Sequence, residues 1–157
     1  MTLRCPIVWQ VGYSCIGCCN TCGTFTTASG TLSDGSGTNN YPAHAMCTWF
    51  IAPVGATKVA LDFTAFQTEQ CWDFVKVSQC TDVNCRSQQL LATLTGYYTA
   101  SQRVIWTTGY MLVNFTSDAV ISDSGFTASW SLYTGQVCSL QEVARALFFL
   151  RFCVFLQ

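Results

Sequence analysis

The sequence predicts an all-β domain built as an antiparallel β-sandwich, and three observations carry that prediction. The middle of the chain is rich in Thr, Ser, Gly and aromatic residues, types that suit a pleated, half-buried surface better than a helix. Short runs there alternate apolar and polar residues with the period of two that a strand imposes. Clusters of turn formers, "SDGSGTNN", "APVGA", "LTG" and "SDSG", punctuate those runs at the spacing of a sandwich. Nothing before residue 139 has helical periodicity.

Taken in order, "CTWFI" sets Cys47, Trp49 and Ile51 on one face, and "VALDF" does the same with Val59, Leu61 and Phe63. "MLVNF" turns Met111, Val113 and Phe115 inward and therefore Asn114 outward. "FTASW" contributes Phe126, Ala128 and Trp130. The predicted core is Trp49, Leu61, Phe63, Val113, Phe115, Phe126 and Trp130. Asn114-Phe-Thr116 is an N-glycosylation sequon, and its outward asparagine fits that use.

A chain of 157 residues can bury one ordinary core. We expect a cysteine-rich segment at 1–21 that can belong to an upstream module, the sandwich at 22–134, and an apolar tail at 135–157. The tail "ARALFFLRFCVFLQ" is shorter than a membrane span and contains Arg145 and Arg151. Membrane attachment is expected only if this run is part of a longer anchor.

Eleven cysteines point to an oxidising compartment, hence a secreted or cell-surface protein. Because the number is odd, at least one thiol is free or pairs outside the chain. A net charge of -1, with Lys58 and Lys76 the only lysines, excludes nucleic acid as a partner, since phosphate binding needs several cations on one face.

Chemistry has few candidates. His44 is the single histidine, and nothing around it resembles a relay for a nucleophile. "CIGCCNTC" has the look of a zinc site, but its two pairs abut, and disulfides are the expected fate in an oxidising compartment. Acids are scarce, only 8 in the chain, yet Glu69 and Asp73 stand four positions apart in "FTAFQTEQCWDF". Asp118 ends the strand in "FTSDAV". Three clustered carboxylates repel unless a cation sits among them, and a hard ion such as Ca²⁺ is held by such oxygens. Two rival readings are a glycan-active enzyme using Glu69 and Asp73 as acid and base, and a disulfide-stapled spacer with solvated acids.

The series "C-G-T-F…G-T-L-S-D-G…Y-P…C-T-W-F-I…A-P-V-G…V-A-L-D-F-T-A-F-Q-T-E…C-W-D-F-V-K-V…L-V-N-F-T-S-D…G-F-T-A-S-W" resembles a CUB domain, from Cys22 to about Tyr133. The resemblance implies a sandwich of jelly-roll type in an extracellular, non-catalytic module that binds a protein or glycan. It also implies calcium ligands at Glu69, Asp73 and Asp118, and a calcium-organised site that grips a Lys or Arg of the partner. Two departures stand out. The loop from Glu69 to Asp73 is about four residues shorter than the family's, which puts the usual geometry in doubt, yet the three acids are expected to meet at one end of the sandwich, close enough to share one cation. A site tyrosine expected four residues after Tyr41 is replaced by Ala45.

For the cysteines, the resemblance implies a bridge from Cys22 to Cys47. The family's second bridge would run from Cys71 to the position of Thr95, where no thiol stands. Laying Cys71 opposite Thr95 in a hairpin puts Cys80 opposite Cys85, and predicts that those two bond instead. Cys71 is then a small buried residue, the commoner fate, or a free thiol. Cys5, Cys15, Cys18, Cys19, Cys138 and Cys153 receive no assignment.

Overall fold

The computed structural model describes residues 22–55, 57–99 and 104–132. The expectations for 1–21 and for the C-terminal tail, with their cysteines, lie outside the described residues. Among those described there are ten strands and no helix. They are β1 (Gly23–Phe25), β2 (Ser29–Ser33), β3 (Met46–Ile51), β4 (Val59–Gln67), β5 (Phe74–Cys80), β6 (Gln88–Leu94), β7 (Tyr97–Tyr98), β8 (Val104–Thr107), β9 (Tyr110–Thr116) and β10 (Gly125–Leu132).

The strands form two sheets facing each other. One has the order β1-β3-β9-β5-β6, and the other β2-β10-β4 with β7 and β8 both on the far edge of β4. Every pairing is antiparallel except β1 with β3, which is parallel. The chain crosses to the second sheet as β2 before returning, so β3 enters the first sheet running the same way as β1. Sequence patterning alone does not carry that exception.

All seven predicted core residues are buried. Phe126 is the hub of the core, meeting Trp49, Phe63, Phe66 and Phe115 with ring centroids 5.7, 6.0, 6.0 and 5.3 Å away. Each such side chain contributes about 2 to 3 kcal/mol by burial, and tilted ring pairs add roughly 0.5 to 1.5 kcal/mol. Trp130 fits because it crosses Gly30, where a Cβ would come within 2.2 Å of the indole. Asn114 faces away from the core, half-buried, and its amide donates to Thr48 Oγ1 at 2.9 Å.

The period of two does not hold throughout. Phe50 and Leu112, on the outer face of the first sheet, are also buried, in a small cluster with Ala52 and Cys80 that Cys85 and Tyr110 flank. Cys80 and Cys85 are bonded, as predicted, with a Cα separation of 4.8 Å. The register behind that prediction is wrong, however. Cys80 lies opposite Gln88 and Val75 opposite Leu94, with a bulge between Val77 and Ser78. The bridge therefore closes inside the connecting loop, where Cys85 turns with a φ of 49° and donates its N–H to the Asp82 carbonyl. Asp82 holds the same turn through the N–H of Asn84.

The second sheet ends in a buried acid. Asp34, just after β2, accepts from the Phe126 N–H at 2.6 Å through one oxygen and from the Ser36 N–H at 2.9 Å through the other. Its carboxylate lies across Gly125, which has a φ of 77°. This contact ties the end of β2 to the start of β10.

Candidate metal centre

The three acids singled out in the sequence meet at one end of the sandwich. One carboxylate oxygen from each of Glu69, Asp73 and Asp118 lies within 4.8 Å of the others. Glu69 and Asp73 flank the turn between β4 and β5, and Asp118 follows β9. The short turn brings its acids together, in keeping with the expectation that the three meet at one end of the sandwich. The Asp73 N–H donates to the Glu69 carbonyl at 3.2 Å, so residues 69–73 close in a single turn and both carboxylates stay at its base.

Asp73 is 0% exposed, and both its oxygens are engaged. Tyr41 donates its hydroxyl to Oδ2 at 2.5 Å, and the Asp118 N–H donates to Oδ1 at 2.8 Å. The same hydroxyl accepts from the Glu69 N–H at 2.9 Å. Tyr41 thus links two of the acids, the role that seemed lost with Ala45. Burial and then the bond to Asp73 push the Tyr41 hydroxyl well above the ordinary phenol range, so it remains a proton donor.

Asp118 is held from two sides. Its Oδ1 accepts from the Val120 N–H at 2.9 Å, and its carbonyl accepts from the His44 N–H at 2.7 Å. Ser117 clasps the same loop, donating to the Pro42 carbonyl and accepting from the Ala45 N–H, each at 2.8 Å. His44 is exposed and contributes its backbone, with a φ of 56°.

Glu69 is the incomplete member. Its Oε2 is buried and without a hydrogen-bond partner. Loss of hydration, then repulsion from Asp118 and Asp73, raise its pKa above the usual glutamate range, while the Ile121 N–H pulls the other way. A buried oxygen without a donor costs free energy. A cation among the three carboxylates removes both the repulsion and the vacant acceptor. Oxygens on a calcium ion, each about 2.3 to 2.6 Å from it, can stand up to about twice that apart. The observed span suits them.

Of the two fates open to Cys71 the structure has the less common one, an exposed free thiol in the turn between the acids, with a φ of 69°. Its N–H donates to Thr95 Oγ1 at 2.8 Å, and that hydroxyl donates to the Glu69 carbonyl at 3.0 Å. The threonine hydroxyl therefore bridges the segment that the family's second disulfide would span. Thr95→Cys is expected to form a bond to Cys71 and to stabilise the domain by roughly 3 kcal/mol through the closed loop. Peptide mapping without reductant, and melting with and without it, read the result. A thiol at 95 that stays free would show that the Cys71 side chain points elsewhere.

Cys22 and Cys47 are each disulfide-bonded. Of the site residues, Tyr41 was missed as a ligand support. The "YP" dipeptide was its only signal, and an apolar-looking tyrosine reads as core; its ring does pack edge-on against Phe115 at 5.1 Å.

Comparison with known proteins agrees with this architecture. Mouse Tolloid-like protein 2 is 28% identical over 117 residues, 70% of this chain but only 11% of that protein's length. The extracellular region of zebrafish Gpr126/Adgrg6 superposes with a TM-score of 0.60 at 25% identity, over 74% of this chain and 15% of that one. The MASP-1 CUB2 domain bound to Ca²⁺ superposes with a TM-score of 0.58 at 21% identity, covering 69% of this chain and 96% of that one. The CUB domain family profile matches residues 19–130. With the sandwich, its strand order and the motif series in place, the chain belongs to the CUB family.

Proposed function

We propose that this CUB domain, one of a family of extracellular protein-interaction modules, is a non-catalytic recognition module of a secreted or cell-surface protein, whose acidic centre takes one calcium ion and grips a Lys or Arg of a protein partner. The observation that carries the reading is the meeting of Glu69, Asp73 and Asp118 within 4.8 Å. The buried, unpartnered Glu69 Oε2 supports it. These three residues would hold the ion, which supplies positive charge that fixes their carboxylates in place.

The rival readings have less support. An acid–base pair needs both carboxylates facing a substrate, whereas Asp73 is buried with both oxygens occupied. A spacer with merely solvated acids has no reason to bring them together against their repulsion. Glycosylation of Asn114, and a bond between Cys22 and Cys47, belong to the same proposal; intact-mass and non-reducing peptide mapping read both.

The test is binding of the full chain to a synthetic peptide with one lysine in a Gly/Ser background, in calcium and in chelator. Binding is expected in calcium alone, and a Lys→Gln peptide should lose it. Binding indifferent to both chelator and lysine would overturn the proposal.

A further inference from the structure

The acidic centre is surrounded by exposed apolar side chains that the core does not need. Trp72 stands in the turn between Glu69 and Asp73 and is 64% exposed; Val120 and Ile121 follow Asp118 and are 79% and 56% exposed. Backbone hydrogen bonds keep Val120 and Ile121 at the acids, and chain adjacency keeps Trp72 there. Val120 donates its N–H to Asp118, the Ile121 N–H faces the Glu69 carboxylate, and Trp72 directly precedes the buried Asp73. A solvated loop gains nothing from a tryptophan, a valine and an isoleucine in water. Exposed apolar groups gathered beside a polar site mark a contact surface.

We infer that Trp72, Val120 and Ile121 form an apolar collar, and that the partner segment presents its basic side chain between apolar neighbours. This rests on the reading of the centre as a grip for Lys or Arg and adds what lies around that residue. Charge complementarity selects a basic protein segment over a membrane. Stretches 34–45, 64–73, 95–99 and 117–125 contain no Lys or Arg. Three carboxylates around one divalent ion still leave a net negative charge, and Asp123 adds another acid beside Tyr41, whose N–H its carbonyl accepts. That end repels lipid phosphates and attracts an ammonium or guanidinium. The collar then excludes water from the ion pair, which strengthens it as the local dielectric falls. Tryptophan at the rim of a charged anchor is a common source of binding energy.

The experiment compares two peptides on the full chain in calcium, one with its lysine between leucines and one with its lysine between serines. The Leu-Lys-Leu peptide is expected to bind about tenfold tighter, the effect of partly burying two apolar side chains. Trp72→Ser, and separately Val120→Ser with Ile121→Ser, should bring that ratio towards one, a quantity that partial unfolding does not alter. Equal binding of both peptides to the native chain overturns the collar while leaving the basic grip intact. Failure of both peptides to bind overturns the grip and the collar with it. Calcium-dependent sedimentation with phosphatidylserine/phosphatidylcholine vesicles, lost in Trp72→Ser, would assign the collar to a lipid surface and also overturn the inference.

Discussion

Gly125→Ala is expected to destabilise the domain by roughly 3 kcal/mol, from strain at a positive φ together with disrupted buried hydrogen bonds. That is a large share of the ~5 to 15 kcal/mol that holds an ordinary domain folded, and it lowers the melting temperature by on the order of 10 °C. Two effects coincide at this residue. The backbone has a φ of 77°, which a residue with a Cβ adopts poorly. The added methyl would stand 2.1 Å from Asp34 Oδ2, the oxygen that accepts the Phe126 N–H. Asp34 is buried and cannot swing into water without leaving that donor and the Ser36 N–H unsatisfied. Asp34→Ala should cost a similar amount for the same reason. Because both substitutions act through one contact, the double variant should lose clearly less than the sum of the two. Thermal or urea melts of the four proteins complete the cycle. Strict additivity would mean that Gly125 is needed for its backbone alone and that the added methyl does not act through the Asp34 carboxylate.

How much of this molecule is legible in its sequence depends on how local each cause is. The strands carrying Trp49, Leu61, Phe63, Val113, Phe115, Phe126 and Trp130 announce themselves because a strand's two faces repeat every second residue. The hairpin register does not. A bulge between Val77 and Ser78 and a loop turned by Asp82 absorb residues that a symmetric fold-back counts as paired. The Cys80–Cys85 bond was reached through a register that the strands do not have, because a loop that short brings two thiols together with either pairing. The site divides in the same way. Its acids come from motifs, but the approach of Glu69 and Asp73 depends on one backbone bond between them, and that of Asp118 on its N–H to Asp73. Tyr41 acts on a residue 32 positions away, a separation at which no periodicity operates. Burial is the commoner fate of an unpaired cysteine, but at Cys71 a tight turn with positive φ puts the free thiol at the surface.

The second large effect is the response to calcium, and acidity changes its size in a direction that can be worked out. Glu69 has a raised pKa in the folded, metal-free domain, so the fold binds that proton more tightly than the unfolded chain does. Its contribution to stability is fully present below the unfolded glutamate pKa and is lost as pH rises through the higher folded value. In chelator, therefore, the melting temperature should fall as pH climbs through the window just above the ordinary glutamate range. Calcium reverses the slope. Protons and metal compete for the same oxygens, so affinity rises with pH, and the two melting curves should separate as the site ionises. With a dissociation constant on the order of 10⁻⁴ M, within the range of extracellular modules, about 10 mM calcium stabilises the fold by about 2.7 kcal/mol through mass action. The corresponding rise is several degrees. Asp118→Ala should abolish it. Asp118→Asn keeps an oxygen for the Val120 N–H and should weaken calcium binding while leaving the metal-free domain as stable as the native one or slightly more so, since one repelling charge is gone. Tyr41→Phe should also reduce the shift, because Asp73 then loses the donor that fixes its Oδ2. If the native chain melts identically in millimolar calcium and in chelator at neutral pH, the three acids do not bind calcium, and the proposed grip on a basic partner loses the ion that was to organise it.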